Sequence, residues 1–235
     1  QDQTLKDIIR LGIRKSDAVT AVSQDLIRET RELLDITEPI DLTYNFVDSR
    51  IYYPRECADL RREFAEPGEK VLMHISNFRP VKRTPDVVDI FAKVNAKVPS
   101  RLILVGEGPD LPKLQSQIEA LGLTERVVFL GKQDDVAQVV SIADLMLLPS
   151  EKESFGLVAL EAMACGVPTI GSLAGGIPEL VKHGVTGYLA PVGHTDEMAA
   201  YALELLQDAK KYAAFREACM RRAREEFCDA KICAQ

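Results

Sequence analysis

No apolar run in this 235-residue sequence approaches the roughly 18 residues needed to cross a bilayer. Its opening residues also lack the charged-then-apolar order of a secretory signal. Stable membrane insertion is therefore not expected. Positive charge is in deficit: 29 Lys and Arg stand against 36 Asp and Glu, a net charge of −7, which argues against a general nucleic-acid binder. Cysteine is sparse and unpatterned. Cys57, Cys165, Cys219, Cys228 and Cys233 are odd in number and contain no CxxC, so neither a disulfide scaffold nor a zinc site is expected. A reducing, cytoplasmic setting is. His74, His183 and His194 are too scattered to suggest a metal cluster. What is present is 46% hydrophobic and 28% charged, a soluble globular composition with room for one large or two modest domains.

Short apolar runs alternate with amphipathic stretches along most of the chain. Strands are expected at 70–76, 101–106, 126–131, 144–150, 167–172 and 187–192. Val87, Val88, Phe91 and Val94 share one helical face, as do Leu114, Ile118 and Leu121. Strands that are apolar without alternation belong to a parallel sheet covered on both sides, so the fold class is α/β, a doubly wound, Rossmann-like parallel sheet. The last 40 or so residues read as two helices. The front differs, with a helix, one strand over "DAVTAVS" and a second helix, followed by a Pro- and charge-rich passage. A boundary is placed at 44–66. Some 45 residues with one convincing strand cannot build an ordinary core, so residues 1–45 read as the tail of a domain whose beginning is absent, and 46–235 as a second, doubly wound domain.

In doubly wound sheets ligands meet the carboxyl ends of strands, so the residues after each strand are the candidates. "SNFRPVKRTPD" places Asn77, Arg79, Lys82 and Arg83 in a loop feeding a helix that Thr84 would cap, an anion-binding arrangement or simply a solvated basic loop. Gly106 opens "GEGP", where Leu111 replaces the third glycine of a dinucleotide fingerprint and Pro109 removes a donor, so a tight turn is expected. Gly131, Lys132 and Gln133 form another strand-to-helix edge.

The most informative stretch is "EKESFGLVALEAMACGVP". Ser154 would cap a helix starting at Phe155, leaving the N–H groups of Phe155, Gly156 and Leu157 to face an anion. Glu161 lies among aliphatic residues, where an unpartnered carboxylate costs several kcal/mol. Glu153 precedes the helix and reaches the same crevice. Two carboxylates as hydroxyl acceptors beside N–H donors to phosphate suit a sugar nucleotide. A capped helix with a structural glutamate suits the same residues equally well.

"VGEGP", "FLGKQDDV", "LLPSEKESFGLVALEAMACGVPTIGSLAGGIPEL" and "GVTGYL" occur in the order and spacing of the retaining glycosyltransferases of family 4, which this sequence resembles over residues 15–230. The resemblance implies a GT-B fold of two Rossmann-like domains. It implies a UDP-sugar donor and a small-molecule acceptor as partners, with a homo-oligomer left open. Catalytic roles fall by resemblance on Lys82, matching the lysine on the donor diphosphate, and on Glu153, which contacts the transferred sugar. Substrate-binding roles fall on Glu161 (ribose), on the main chain of Ser154 to Leu157, on Gly131 to Gln133 (base) and on the loop at Gly106. The family's arginine five residues before the lysine is here Asn77, which leaves Arg79 as the candidate second cation. No Asp-x-Asp motif occurs, so neither metal nor cofactor is expected. "HISNFRPVKR" and "LGKQDDVAQVV" look most like the branch that transfers N-acetylglucosamine to L-malate in bacillithiol biosynthesis. A related transferase with a lipid or polysaccharide acceptor and a non-catalytic nucleotide-sugar module are the alternatives. With most of the acceptor domain outside residues 1–235, this stretch alone is expected to bind donor and transfer nothing.

Overall fold

The computed structural model describes residues 3–233. Helix α1 (Gln3–Lys15), strand β1 (Thr20–Ala21), helix α2 (Gln24–Leu34) and strand β2 (Asp41–Leu42) come first. Next come α3 (Ala58–Phe64), β3 (Lys70–Ile75), α4 (Thr84–Asn95), β4 (Ser100–Val105), α5 (Leu111–Ala120), β5 (Val127–Gly131), α6 (Val136–Ser141) and β6 (Leu145–Leu148). The chain continues with α7 (Leu157–Ala164), β7 (Thr169–Ser172), α8 (Ile177–Leu180), β8 (Gly187–Ala190), α9 (Thr195–Gln207), α10 (Ala209–Glu226) and α11 (Asp229–Ile232).

All six expected strands form, and they pair in parallel in the order β5-β4-β3-β6-β7-β8. β6 and β8 run shorter than their apolar stretches, β6 stopping at Leu148 before Pro149 and β8 at Ala190 before Pro191, because proline cannot donate to the ladder. Both faces are covered. Leu72, Leu102, Leu104 and Leu147 pack against α4, α5 and α9, while Val71, Met73, Ile103 and Met146 pack on the other side against α6 and α7. The order runs outward in both directions from the β3–β6 pair, which is therefore the switch point where a crevice opens at the carboxyl ends. The ladder between them is short, with Leu72 opposite Leu145 and Met73 opposite Met146.

Two local expectations change. The passage at 44–66 contains a helix, α3, whose Arg61 reaches the Ile142 carbonyl and the Asp144 carboxylate, so its charges serve tertiary contacts. The last segment holds a third, short helix, α11, after the expected two. The front forms a small parallel pair, β1–β2, over its own cluster of Ala21, Ile27, Leu34, Ile36 and Ile40. It is bound firmly to the larger sheet's loops. The Glu179 carboxylate accepts from the N–H groups of Gln24 and Asp25 at 2.9 Å and from the Tyr44 hydroxyl at 3.0 Å. A carboxylate 154 positions away in sequence thus caps α2, satisfying two of its open donors. Tyr44, Phe155 and Phe227 meet ring to ring beneath it.

Candidate functional site

At the switch point the loops after β3 and β6 face each other. A cavity of about 270 Å³ is lined by Ile75, Ser76, Asn77, Leu148, Gly156 and Val158 among others. A second, of about 500 Å³, lies between α2 and the loop 151–154, reaching Leu173 to Gly175. Lys82 and Glu153 line both. Their side chains meet there, Lys82 Nζ donating to Glu153 Oε2 at 2.5 Å, and they are only 20% and 17% exposed. The pair forms the wall between the two spaces.

Lys82 ends a 3-10 turn, Pro80–Lys82, that leads into α4. Thr84 does not cap this helix as expected. Arg83 takes the cap position in the left-handed region at φ 48°, its carbonyl accepting from the Asp86 N–H, while its Nε donates to the Asp86 carboxylate. Thr84 is already helical and buried, and its hydroxyl finds no partner among the described residues. Ser154 likewise does not cap α7. Its carbonyl is taken by the Ser23 hydroxyl at 2.6 Å, and the helix begins only at Leu157, after Gly156 in left-handed backbone. The anion-facing donors therefore shift along the chain. Ala159 and Leu160 bond back to the Gly156 carbonyl, so within the helix the Leu157 and Val158 N–H groups have no acceptor and point out of its positive end. The Phe155 ring is buried in the aromatic cluster, so its side chain anchors the loop from behind.

Glycine is required where these loops touch their neighbours. A Cβ on Gly106 would lie 1.9 Å from the Ser76 carbonyl oxygen, and Gly106 N–H donates to the Gly131 carbonyl at 2.8 Å. The "GEGP" turn thus forms the shelf on which the Asn77 loop rests. Gly175 does the same for the other wall, its missing Cβ falling 1.9 Å from the Glu153 carbonyl oxygen.

The remaining candidates are spread out. Arg79 starts the turn that ends at Lys82, its carbonyl accepting from the Lys82 N–H at 2.8 Å, but it is exposed and lines neither cavity. Lys132 is exposed, and the Gln133 amide folds back to the Leu130 carbonyl at 2.6 Å. Glu161 is half-buried on α7 and lines neither cavity. Burial pushes its carboxyl above the ordinary carboxylate value, and a hydrogen bond from the Tyr52 hydroxyl pulls the other way. The donor that Glu161 needs is thus supplied here by the protein itself. Sequence reasoning passed over Tyr52, Gly175 and His74. A glycine pair in the loop after a strand, three residues beyond Ser172, was the available signal for Gly175. Tyr52 and His74 left none beyond an aromatic in a loop and a lone histidine in a strand.

Among the described residues no group of three or more His, Cys, Asp or Glu is placed to hold a metal ion, and no helix is long and apolar enough to cross a membrane. The described cysteines are all free thiols.

Residues 58–222 match the family model described as glycosyl transferases group 1. Over its whole length the chain is 49% identical to the N-acetyl-alpha-D-glucosaminyl L-malate synthase of Bacillus anthracis, spanning 62% of that protein. It is 36% identical over 185 residues to the D-inositol 3-phosphate glycosyltransferase of Mycobacterium marinum, covering 39% of it. Among solved structures, Anabaena HepE in complex with UDP-glucose superposes with TM-score 0.91 at 30% identity, over 99% of this chain and 66% of that one. Sucrose-phosphate synthase from Thermosynechococcus elongatus superposes with TM-score 0.89 at 26% identity, over 100% and 60% respectively.

Proposed function

This chain belongs to the glycosyl transferases group 1 family, and from that premise we propose that the whole protein moves N-acetylglucosamine from UDP to L-malate, with residues 46–235 as the donor-binding domain and 1–45 as part of the acceptor domain. The observation that carries the reading is the Lys82–Glu153 pair, two groups 71 positions apart that meet at 2.5 Å in the switch-point crevice beside the open end of α7. Support for the donor comes from the 49% identical relative, whose name specifies the sugar and acceptor, and from the UDP-glucose complex of HepE.

In this reading the donor diphosphate lies against the Leu157 and Val158 N–H groups and takes over Lys82. Breaking the bond from the anomeric carbon to the diphosphate gathers negative charge on the leaving phosphate. A lysine and a helix N-terminus fixed in advance stabilise that charge without a divalent ion. Released from Lys82, Glu153 accepts from sugar hydroxyls. Glu161 exchanges the Tyr52 hydroxyl for those of the ribose, and the main chain at Gly131 to Gln133 meets the base. The test is transfer from UDP-N-acetylglucosamine to L-malate by the intact protein, with chelator present. Malate-dependent release of UDP is expected; its absence would sink the assignment.

The pairing carries two further expected outcomes. Glu153→Gln frees Lys82 in the empty cleft, so UDP is expected to bind about three- to tenfold more tightly, roughly 0.7–1.4 kcal/mol, while transfer falls. Weaker UDP binding by that variant would mean the lysine is not released to phosphate. Glu161→Ala is expected to weaken UDP by about five- to twentyfold and a 2′,3′-dideoxyribose analogue hardly at all, since either change removes the same bonds. Equal losses in calorimetry would make Glu161 a structural partner of Tyr52.

A further inference from the structure

The crevice exists because β3 and β6 stop pairing after Met73 and Met146. The next residue on β3 is His74, fully buried, and its ring spans the widening gap. Nδ1 lies 2.8 Å from the Leu147 carbonyl oxygen on β6, and Nε2 lies 2.8 Å from the Ser76 Oγ. A carbonyl only accepts, so Nδ1 carries the hydrogen. Burial, opposed by the bond to Leu147, pushes the imidazole down to about 4, so Nε2 is bare at neutral pH. The Ser76 hydroxyl must then donate to Nε2. Its oxygen in turn accepts from the Phe78 N–H at 3.2 Å. Phe78 sits at φ 36°, a left-handed conformation that a bulky residue rarely adopts, with its ring fully buried and stacked 6.3 Å from His74.

We infer that His74 is a positioning residue for the crevice: anchored on β6, it sets the direction of the Ser76 hydroxyl and so holds the Phe78 turn that carries Asn77 and leads to Lys82. The inference rests on the reading of that crevice as the donor site. Packing alone would be served as well by leucine or phenylalanine at a fully buried strand position. A polar ring there is costly unless both nitrogens are bonded, and both are, to opposite walls of the same opening. The order of donors runs one way only, from Phe78 N–H to Ser76 to His74 to Leu147.

Two amides separate the halves of this chain. Asparagine at 74 keeps an N–H near the Nδ1 position and loses the acceptor for Ser76. Glutamine reaches the Nε2 position with its amide oxygen. In the intact protein, UDP binding by calorimetry is expected to weaken about tenfold in His74→Asn and to stay within about threefold of the parent in His74→Gln. The KM for the donor should rise in His74→Asn with the KM for the acceptor unchanged. Ser76→Ala removes one hydroxyl from a half-buried position and should match the asparagine variant even if substitution at 74 impairs folding. A merely structural histidine would lower thermal stability alike in both His74 variants and leave UDP affinity intact. UDP dissociation constants for His74→Asn and Ser76→Ala within twofold of a UDP-binding parent would overturn the inference. A parent that does not bind UDP would overturn the donor-site reading and this inference with it.

Discussion

Replacing Lys82 with alanine is expected to lower the transfer rate by about 10²–10³-fold, the usual effect of removing one preorganised partner of transition-state charge. Two losses combine. The leaving phosphate forfeits its cation, and Glu153, only 17% exposed, is left in the cleft without the ammonium that neutralises it. An incoming diphosphate would then meet a lone carboxylate at close range. Nucleotide binding should therefore suffer more in Lys82→Ala than in the double variant with Glu153→Gln, where the repulsion is gone. A double-mutant cycle on UDP affinity measures that difference. The fold should be unaffected, since Lys82 lines two cavities and packs into no apolar cluster. UDP affinity in Lys82→Ala within twofold of the parent would remove the lysine from the donor site.

The second large effect involves no charged group. Gly175→Ala places a methyl where only 1.9 Å separates it from the Glu153 carbonyl oxygen, a backbone atom that cannot swing aside. The loop bearing Glu153 must shift by an ångström or more. Displacement on that scale costs about 10²-fold where a reacting pair must be held in near-attack geometry. Gly175 also has φ 57°, which by itself disfavours alanine by roughly 1–2 kcal/mol. Gly184→Ala separates the two causes: its φ is 76°, yet nothing lies within 4 Å of an added Cβ. The Gly184 variant should lose a little thermal stability and keep full activity. If Gly175→Ala retains activity equal to Gly184→Ala, the shelf under Glu153 has no part in the reaction.

The sheet was legible because its strands carry apolar residues on both faces, a pattern that a one-sided sheet would not tolerate. Lys82, Glu153 and Glu161 stood out as candidates in the sequence because charged residues in the loops after apolar strands, or inside an apolar helix, have few structural excuses. Their pairing was not legible. That Lys82 would hold Glu153, and Tyr52 would hold Glu161, depends on loops brought together over 71 and 109 positions of chain. Local periodicity carries no information on that scale. Capping failed for a related reason. Thr84 and Ser154 have the right side chains for an N-cap, but Arg83 takes the cap position of α4, and α7 begins at Leu157 with Gly156 as its cap. His74 was passed over because one histidine in an apolar strand looks like filler until its two nitrogens are seen to face opposite walls.

Glu179 caps α2 from the same short segment, 173–180, in which Gly175 abuts the Glu153 carbonyl. On the other side, Ser23 at the head of α2 holds the Ser154 carbonyl, one residue beyond Glu153. The start of α2 and the Glu153 loop are thus tied by two independent routes. Any ligand lying along α2 that displaces the helix must do work on the Lys82–Glu153 contact, and a donor that draws Lys82 away must do work on α2. Binding free energies linked in this way are reciprocal: whatever factor the nucleotide imposes on the affinity of a molecule resting against α2, that molecule imposes on the nucleotide.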